Sequence, residues 1–155
     1  MATSIGELRL TWAGILLGIG LGGLFDGVLF HHLLQWHQFL SSRRPPVDMF
    51  SMRYNMWADG WFAAVMWLAT LVGGFLLWRG TQSVRIWRHD RWFVGTLLLG
   101  AGLFNLVEGL FAHILLGLHH LHGVPDPAWD WGWIGVGVVG LIFVGRWFRQ
   151  LGTRA

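Results

Sequence analysis

Long apolar runs separated by short polar segments dominate the hydrophobic pattern of this chain. A helix needs about 20 mostly apolar residues, rising 1.5 Å each, to cross the roughly 30 Å hydrocarbon core of a bilayer. Arginine, serine and proline clusters, such as residues 41–46, end the runs. The pattern predicts an all-α integral membrane four-helix bundle, a single transmembrane domain over residues 1–155. The predicted spans are 10–40, 56–78, 92–118 and 129–148.

The composition agrees with a membrane protein and excludes several other classes. Of the 155 residues, 54% are hydrophobic and 12% are charged, whereas a soluble domain has roughly 25% charged residues. This hydrophobicity excludes a disordered chain. The absence of cysteine excludes a disulfide scaffold, c-type haem attachment and cysteine-ligated zinc or iron–sulfur sites. The basic residues are scattered between apolar runs, so no nucleic-acid partner is expected.

The arginines predict the orientation in the membrane, because basic residues accumulate in cytoplasmic segments. The two termini and the middle loop share one side, and segments 41–55 and 119–128 share the other. We expect a bacterial inner-membrane protein with both termini in the cytoplasm and these two segments in the periplasm. The first side holds Arg9, Arg79, Arg85, Arg88, Arg91, Arg146, Arg149 and Arg154, and the second side holds Arg43, Arg44 and Arg53.

An acid–histidine pattern occurs twice, at a constant offset of 82 residues. An acid followed by glycine precedes two histidines, which lie five and eleven residues after the acid. Asp59 and Asp130 in the second and fourth spans add a weaker echo. Because the first and third spans run in the same direction, we predict a duplicated helical hairpin, that is, a parallel internal repeat. The two copies are Asp26, Gly27, His31, His37 and Glu108, Gly109, His113, His119.

Carboxylates at membrane depth indicate a functional site, since each costs about 2.5–3.5 kcal/mol to insert. Imidazoles and carboxylates together bind metals, relay protons or hydrogen-bond helices to one another. A repeated cluster at one depth favours a metal site in the outward half of the bundle. The predicted site residues are His31, His37, His113, His119, His120, Asp26, Glu108, Asp59 and Asp130, with His32 in reserve.

The predicted depths divide these residues into levels. If the first helix continues to residue 40, Asp26 lies about 22 Å below its outer end. Asp26 and Glu108 would then be a turn or more too deep for the His37 level, and would serve His31 and His113 or a second ion. Asp59 and Asp130 would ligate the metal or orient the histidine rings. His89, in the arginine-rich inner loop, is predicted to lie outside the site.

Copper is the favoured metal, with zinc and iron as alternatives. The Glu-x-x-His spacing of di-iron bundles is missing, since Phe111 follows Glu108 at that spacing. The thioethers of Met49, Met52 and Met56 favour Cu(I). The favoured interpretation of these methionines, however, is the apolar edge of the entering second helix, where methionine fills gaps. Haem b is less favoured, because deep acids conflict with the apolar pocket that its ring needs.

Glycines at four-residue spacing predict a close helix contact in the first span. Gly14, Gly18 and Gly22 form a small-xxx-small stripe, which lets two helix backbones approach each other.

The same acid–histidine segments, with Gln35-Trp36-His37 and Leu118-His119-His120, resemble a bacterial family of small four-span membrane proteins, domain of unknown function two-two-four-three. The resemblance covers nearly the whole chain. It implies the four-helix topology and surroundings of respiratory-oxidase assembly, which favours copper, and it implies no established activity. The second helix of that family reads Asp-Gly-Leu-Phe-His, and Ala63 replaces its histidine here. Asp59 is therefore the ligand expected from this helix.

These features predict a multi-pass membrane metal-binding protein, acting in metal handling or as a small metalloenzyme or subunit. The alternative is an accessory structural subunit of a respiratory-type membrane complex, whose polar cluster serves helix packing. The expected partners are the lipid bilayer and either a second copy of the chain or a larger membrane complex. No reaction is assigned by the sequence.

Overall fold

Four long helices make up the structure, a computed structural model that describes residues 4–83 and 90–153. Each helix is long and apolar enough to cross a membrane, and the described residues contain no strand. The all-α four-span fold predicted from the hydrophobic pattern is confirmed. The helices are α1, Ile5–Leu33; α2, Met49–Thr81; α3, Asp90–Leu115; and α4, Pro127–Gly152.

Polar caps start the helices earlier than the apolar pattern predicts. Ser4 forms a capping box with Glu7 at the start of α1, and Asp48 forms one with Ser51 at the start of α2. These reciprocal hydrogen bonds satisfy backbone N–H groups of the first turn, so the helix extends into polar sequence. Asp126 caps α4 in a similar position. Hydropathy detects the apolar centre of a helix and not its capped ends.

The predicted ends of the first and third spans, at residues 40 and 118, are wrong. Both helices finish in π-helical turns, Gly27–Leu33 and Gly109–Leu115. The chain then reverses through Gln35 and Gly117, whose φ angles are 51° and 52°. The left-handed backbone at these two residues ends the helix although the sequence stays apolar. His37 and His119 therefore lie in loops that follow α1 and α3, not on the helices.

Helices α1 and α3 occupy the centre of the bundle, with α2 packed on α1 and α4 packed on α3. A Cβ atom at Gly18 would lie 2.7 Å from the Ala101 amide nitrogen and 2.9 Å from the Gly100 Cα. The close approach predicted from the glycine stripe is confirmed here. At Gly22 the same test gives 3.4 Å to Ala101, so the two helices have begun to separate.

We expect Gly18→Ala to destabilise the protein by about 1–3 kcal/mol, because the new methyl group would press on the backbone of α3. The measurement is the free energy of unfolding in detergent, followed by tryptophan fluorescence. Gly74→Ala in α2 is the matched control, since a Cβ there meets nothing within 4 Å. Equal stability of the two variants would contradict the tight α1–α3 contact.

Candidate metal centre

Two loops interlock at the end of the bundle where α1 and α3 finish, which we call the site end. The Ser42 amide donates a hydrogen bond to the Leu118 carbonyl over 2.9 Å. The Arg43 side chain donates to the carbonyl of Leu116, with its Nε at 2.9 Å, just beyond the end of α3. Each loop thus folds back over the end of the helix pair.

Because the loops fold back, the depths of the acids along their helices differ from the predicted ones. Asp26 lies seven residues before the end of α1, which is about 10 Å along the axis and not 22 Å. The loops return His37 and His119 toward the acids, so the predicted separation of levels is wrong. Asp59 lies ten residues into α2, deeper along its helix than predicted, because α2 begins at Met49.

Four buried imidazoles converge at the site end. They belong to His31, His37, His113 and His119, and each residue is at most 3% exposed. The rings of His31 and His37 lie 4.7 Å apart, and so do those of His113 and His119. The His37 and His119 rings stack face to face, with centroids 4.4 Å apart and planes 3° from parallel.

Aspartates on the flanking helices hold the two helix-borne rings. Nδ1 of His31 lies 3.0 Å from Oδ1 of Asp59, and Nδ1 of His113 lies 2.8 Å from Oδ1 of Asp130. Each carboxylate also accepts a backbone amide of a loop: Asp59 accepts from Phe39 and Asp130 from Leu121. One aspartate therefore fixes both a ring and the adjoining loop.

Backbone carbonyls hold the two loop-borne rings. Nδ1 of His37 lies 2.8 Å from the Leu121 carbonyl oxygen, and Nδ1 of His119 lies 3.0 Å from that of Phe39. A carbonyl only accepts, so the proton of each neutral ring is on Nδ1. Burial lowers the pKa of His37 to about 2, with the neighbouring His119 and His31 acting in the same direction. Nε2 of His37 therefore carries a free lone pair.

The Nε2 atoms are the second ring nitrogens of these four histidines. Those of His31, His37 and His113 are buried and make no hydrogen bond within the described part of the chain. Nδ1 of each ring faces an acceptor, and Nε2 of His119 also contacts one, Oε1 of Glu108, at 2.9 Å. Where both nitrogens of a ring face acceptors, a second proton or a metal cation on the ring satisfies both contacts.

Two carboxylates face these nitrogen atoms. Oε1 of Glu108 lies 2.9 Å from Nε2 of both His113 and His119. Two ligand atoms at this separation subtend about 90° at an ion bonded to each at about 2.05 Å. Oδ2 of Asp26 lies 3.4 Å from Nε2 of His31, and its other oxygen has no hydrogen bond to any described residue.

Five of the nine predicted site residues form two close groups, which we call the centre, and the other four lie around it. Two triads overlap at His119, and the donor atoms within each triad lie at most 4.8 Å apart. One triad is His31, His37 and His119, and the other is Glu108, His113 and His119. His120 is outside the centre, because its Nδ1 contacts Oδ2 of Asp130 at 2.7 Å and its side chain is 21% exposed. Asp26 lies beside His31, and Asp59 and Asp130 contact the Nδ1 atoms of His31 and His113. His32 is exposed, and His89 lies outside the described residues.

Sequence reasoning missed three groups that support the centre. They are the carbonyls of Phe39 and Leu121 and the indole of Trp133, which donates to Oε2 of Glu108 over 3.2 Å. Phe39 and Leu121 are also 82 residues apart. That spacing could have indicated Phe39 and Leu121 as equivalent positions of the two repeats. It could not have indicated that their backbone carbonyls accept hydrogen bonds from histidine side chains.

Comparison with known proteins places the chain in a family without assigning it an activity. No curated protein and no solved structure matches it. A family model described as a predicted membrane protein, DUF2243, matches residues 13–151. With four helices able to span a membrane and a match over most of its length, the chain belongs to the DUF2243 family of predicted membrane proteins.

Proposed function

We propose that this membrane protein binds a metal ion, copper being favoured, among the imidazoles at the site end of the bundle. The observation that carries the proposal is the orientation of the four rings. Each Nδ1 faces a fixed acceptor, which leaves Nε2 of each ring to bind an ion, and the four histidines with Glu108 form two close triads. Histidines that ligate metals have this arrangement, with the other ring nitrogen held by a carboxylate or a backbone carbonyl.

A metal ion accounts for the buried polar atoms better than helix packing does. Each unsatisfied buried acceptor costs about 1–3 kcal/mol. Nε2 of His37 and Oδ1 of Asp26 have no hydrogen-bond partner among the described residues. The pairs between helices, His31 with Asp59 and His113 with Asp130, leave these two atoms unsatisfied. One cation bonded to several of these atoms would satisfy them together.

The donor set favours copper over zinc, iron or haem b. The His31, His37 and His119 triad offers three imidazole nitrogens without a carboxylate, and imidazole suits copper, zinc and iron alike. Thioethers at the same end of the bundle add a preference for copper. Haem b is less favoured, because the stacked rings of His37 and His119 lie side by side and not on opposite faces of a planar ring.

We infer that the centre arose from a duplicated helical hairpin. The π-helical turns, the left-handed residues and the loop carbonyls that orient the rings all recur at an offset of 82 residues. A parallel internal repeat explains this correspondence, since each half supplies an acid, two histidines and a carbonyl to the other half or to itself.

The arginine distribution supports a bacterial inner membrane as the location, with the site end facing the periplasm. We therefore expect a reporter that is active only in the cytoplasm to function when fused after Ala155. A reporter active only in the periplasm should function when inserted in the α3–α4 loop, for example after Val124. Activity of the periplasmic reporter at the C-terminus would overturn this orientation.

Purified protein, prepared without chelator, should contain at least one metal ion per chain by elemental analysis. His31→Ala combined with His113→Ala should remove it, because each triad loses an imidazole. His122→Ala is the matched control, since that histidine is exposed, stacks on Trp129 and contacts Trp36 edge to face.

Two results would contradict this proposal. Full metal content in the double histidine variant would show that other residues are the ligands. A native protein without metal would favour the accessory structural subunit, whose polar cluster serves packing in a larger membrane complex.

Asp130→Asn should lower metal affinity by about 10–100-fold, as loss of a carboxylate behind a ligating histidine does. The carboxylate accepts from His113, His120 and the Leu121 amide, and an amide group would face one of these donors with its own N–H. Asp126→Asn is the control, because asparagine also caps helices well. Affinity is measured by competition with a chelator, and equal affinities of the two variants would contradict the orienting role.

A further inference from the structure

A cavity of about 880 Å³ lies over the buried imidazoles at the site end of the bundle. His31 and His37 reach its inner end, and the α1–α2 and α3–α4 loops contribute to its walls. We call this cavity the vestibule. Four further side chains in its lining carry metal-binding atoms: Met52, Met56, His32 and His120.

We propose that the vestibule binds Cu(I) transiently, through thioether and imidazole ligands, and passes it to the buried histidines. This inference rests on the proposed function, because it gives that centre its route of loading. Thioethers select Cu(I) over harder ions. The vestibule thus would supply selectivity that the nitrogen and oxygen ligands of the buried centre lack.

The two methionines do not fill a gap between helices. Met52 and Met56 are 41% and 61% exposed on the first turns of α2, so neither side chain is packed between helices. They lie four residues apart on one face of α2, which places their side chains next to each other. Both line the vestibule, whereas Met49, one turn earlier, does not contribute to its lining.

Each vestibule histidine follows a buried one in the chain. His32 comes directly after His31, with ring centroids 6.4 Å apart, and His120 comes directly after His119. His32 and His120 therefore connect the lining of the vestibule to the buried rings. The transfer is a ligand exchange in which Cu(I) keeps its oxidation state. Nδ1 of His37 donates to the Leu121 carbonyl, so its Nε2 accepts the ion without releasing a proton.

The test compares loading rate with final copper content. Apo-protein in detergent is mixed with the Cu(I)–bicinchoninate complex under ascorbate, and loss of the complex is followed by absorbance. Met52→Leu combined with Met56→Leu should slow loading by about tenfold while the final stoichiometry is unchanged, because leucine keeps the shape and removes the thioether. Met49→Leu, the control, should load at the native rate.

The outcomes distinguish the two proposals. Failure of the native protein to take up copper at equilibrium would overturn the proposed function. Full uptake at the native rate by the double methionine variant would overturn the proposed loading role of the vestibule and leave the proposed metal centre standing.

A second measurement does not depend on the rate. In the His31→Ala and His113→Ala variant, Cu(I) held in the vestibule should show copper–sulfur scattering by X-ray absorption, and this signal should vanish when Met52 and Met56 are also leucine. Scattering from nitrogen and oxygen alone would contradict the thioether site.

Discussion

The hydrogen bonds at the Nδ1 atoms of four buried histidines are the interaction on which the rest of the centre depends. Asp59 and Asp130 each hold one ring and, through a second bond, the loop that carries the next ring. With Nδ1 occupied, Nε2 is the nitrogen of each ring that remains to bind a proton or an ion. Asp59 and Asp130, which are costly to bury in a membrane, therefore orient the rings of His31 and His113. Burial strengthens these hydrogen bonds, because the local dielectric constant is low.

Local backbone geometry brings the four buried histidines together. The π-helical turns widen the ends of α1 and α3, and the left-handed residues Gln35 and Gly117 send the chain back toward the bundle. Such turns are rare and occur frequently at functional sites. The loop carbonyls then hold each other's histidines, His37 by Leu121 and His119 by Phe39. Each half of the chain thus supplies the carbonyl that orients a histidine of the other half.

The two halves of the chain differ in the contacts of their buried acids, Glu108 and Asp26. Glu108 contacts two imidazoles and the Trp133 indole, whereas Asp26 reaches only His31 at 3.4 Å. Three residues after Asp59, the position of Trp133 relative to Asp130, stands Phe62, which has no donor. The longer glutamate side chain and the indole together draw one carboxylate into the centre. The proposed metal would accordingly lie in an asymmetric field, with carboxylate on one side and imidazole on the other.

The sequence by itself determined the four spans, the pairing of acids with histidines and the offset of 82 residues, because hydrophobic length and local spacing are read directly from residue order. It could not determine where α1 and α3 end, since their apolar character continues past Leu33 and Leu115 while the backbone reverses. Only the tertiary structure decided that His37 and His119 return to the level of Asp26 and Glu108, that carbonyls of the opposite loop orient them, and that His120 stays outside. These depend on hydrogen bonds between segments about 80 residues apart, which no local pattern encodes.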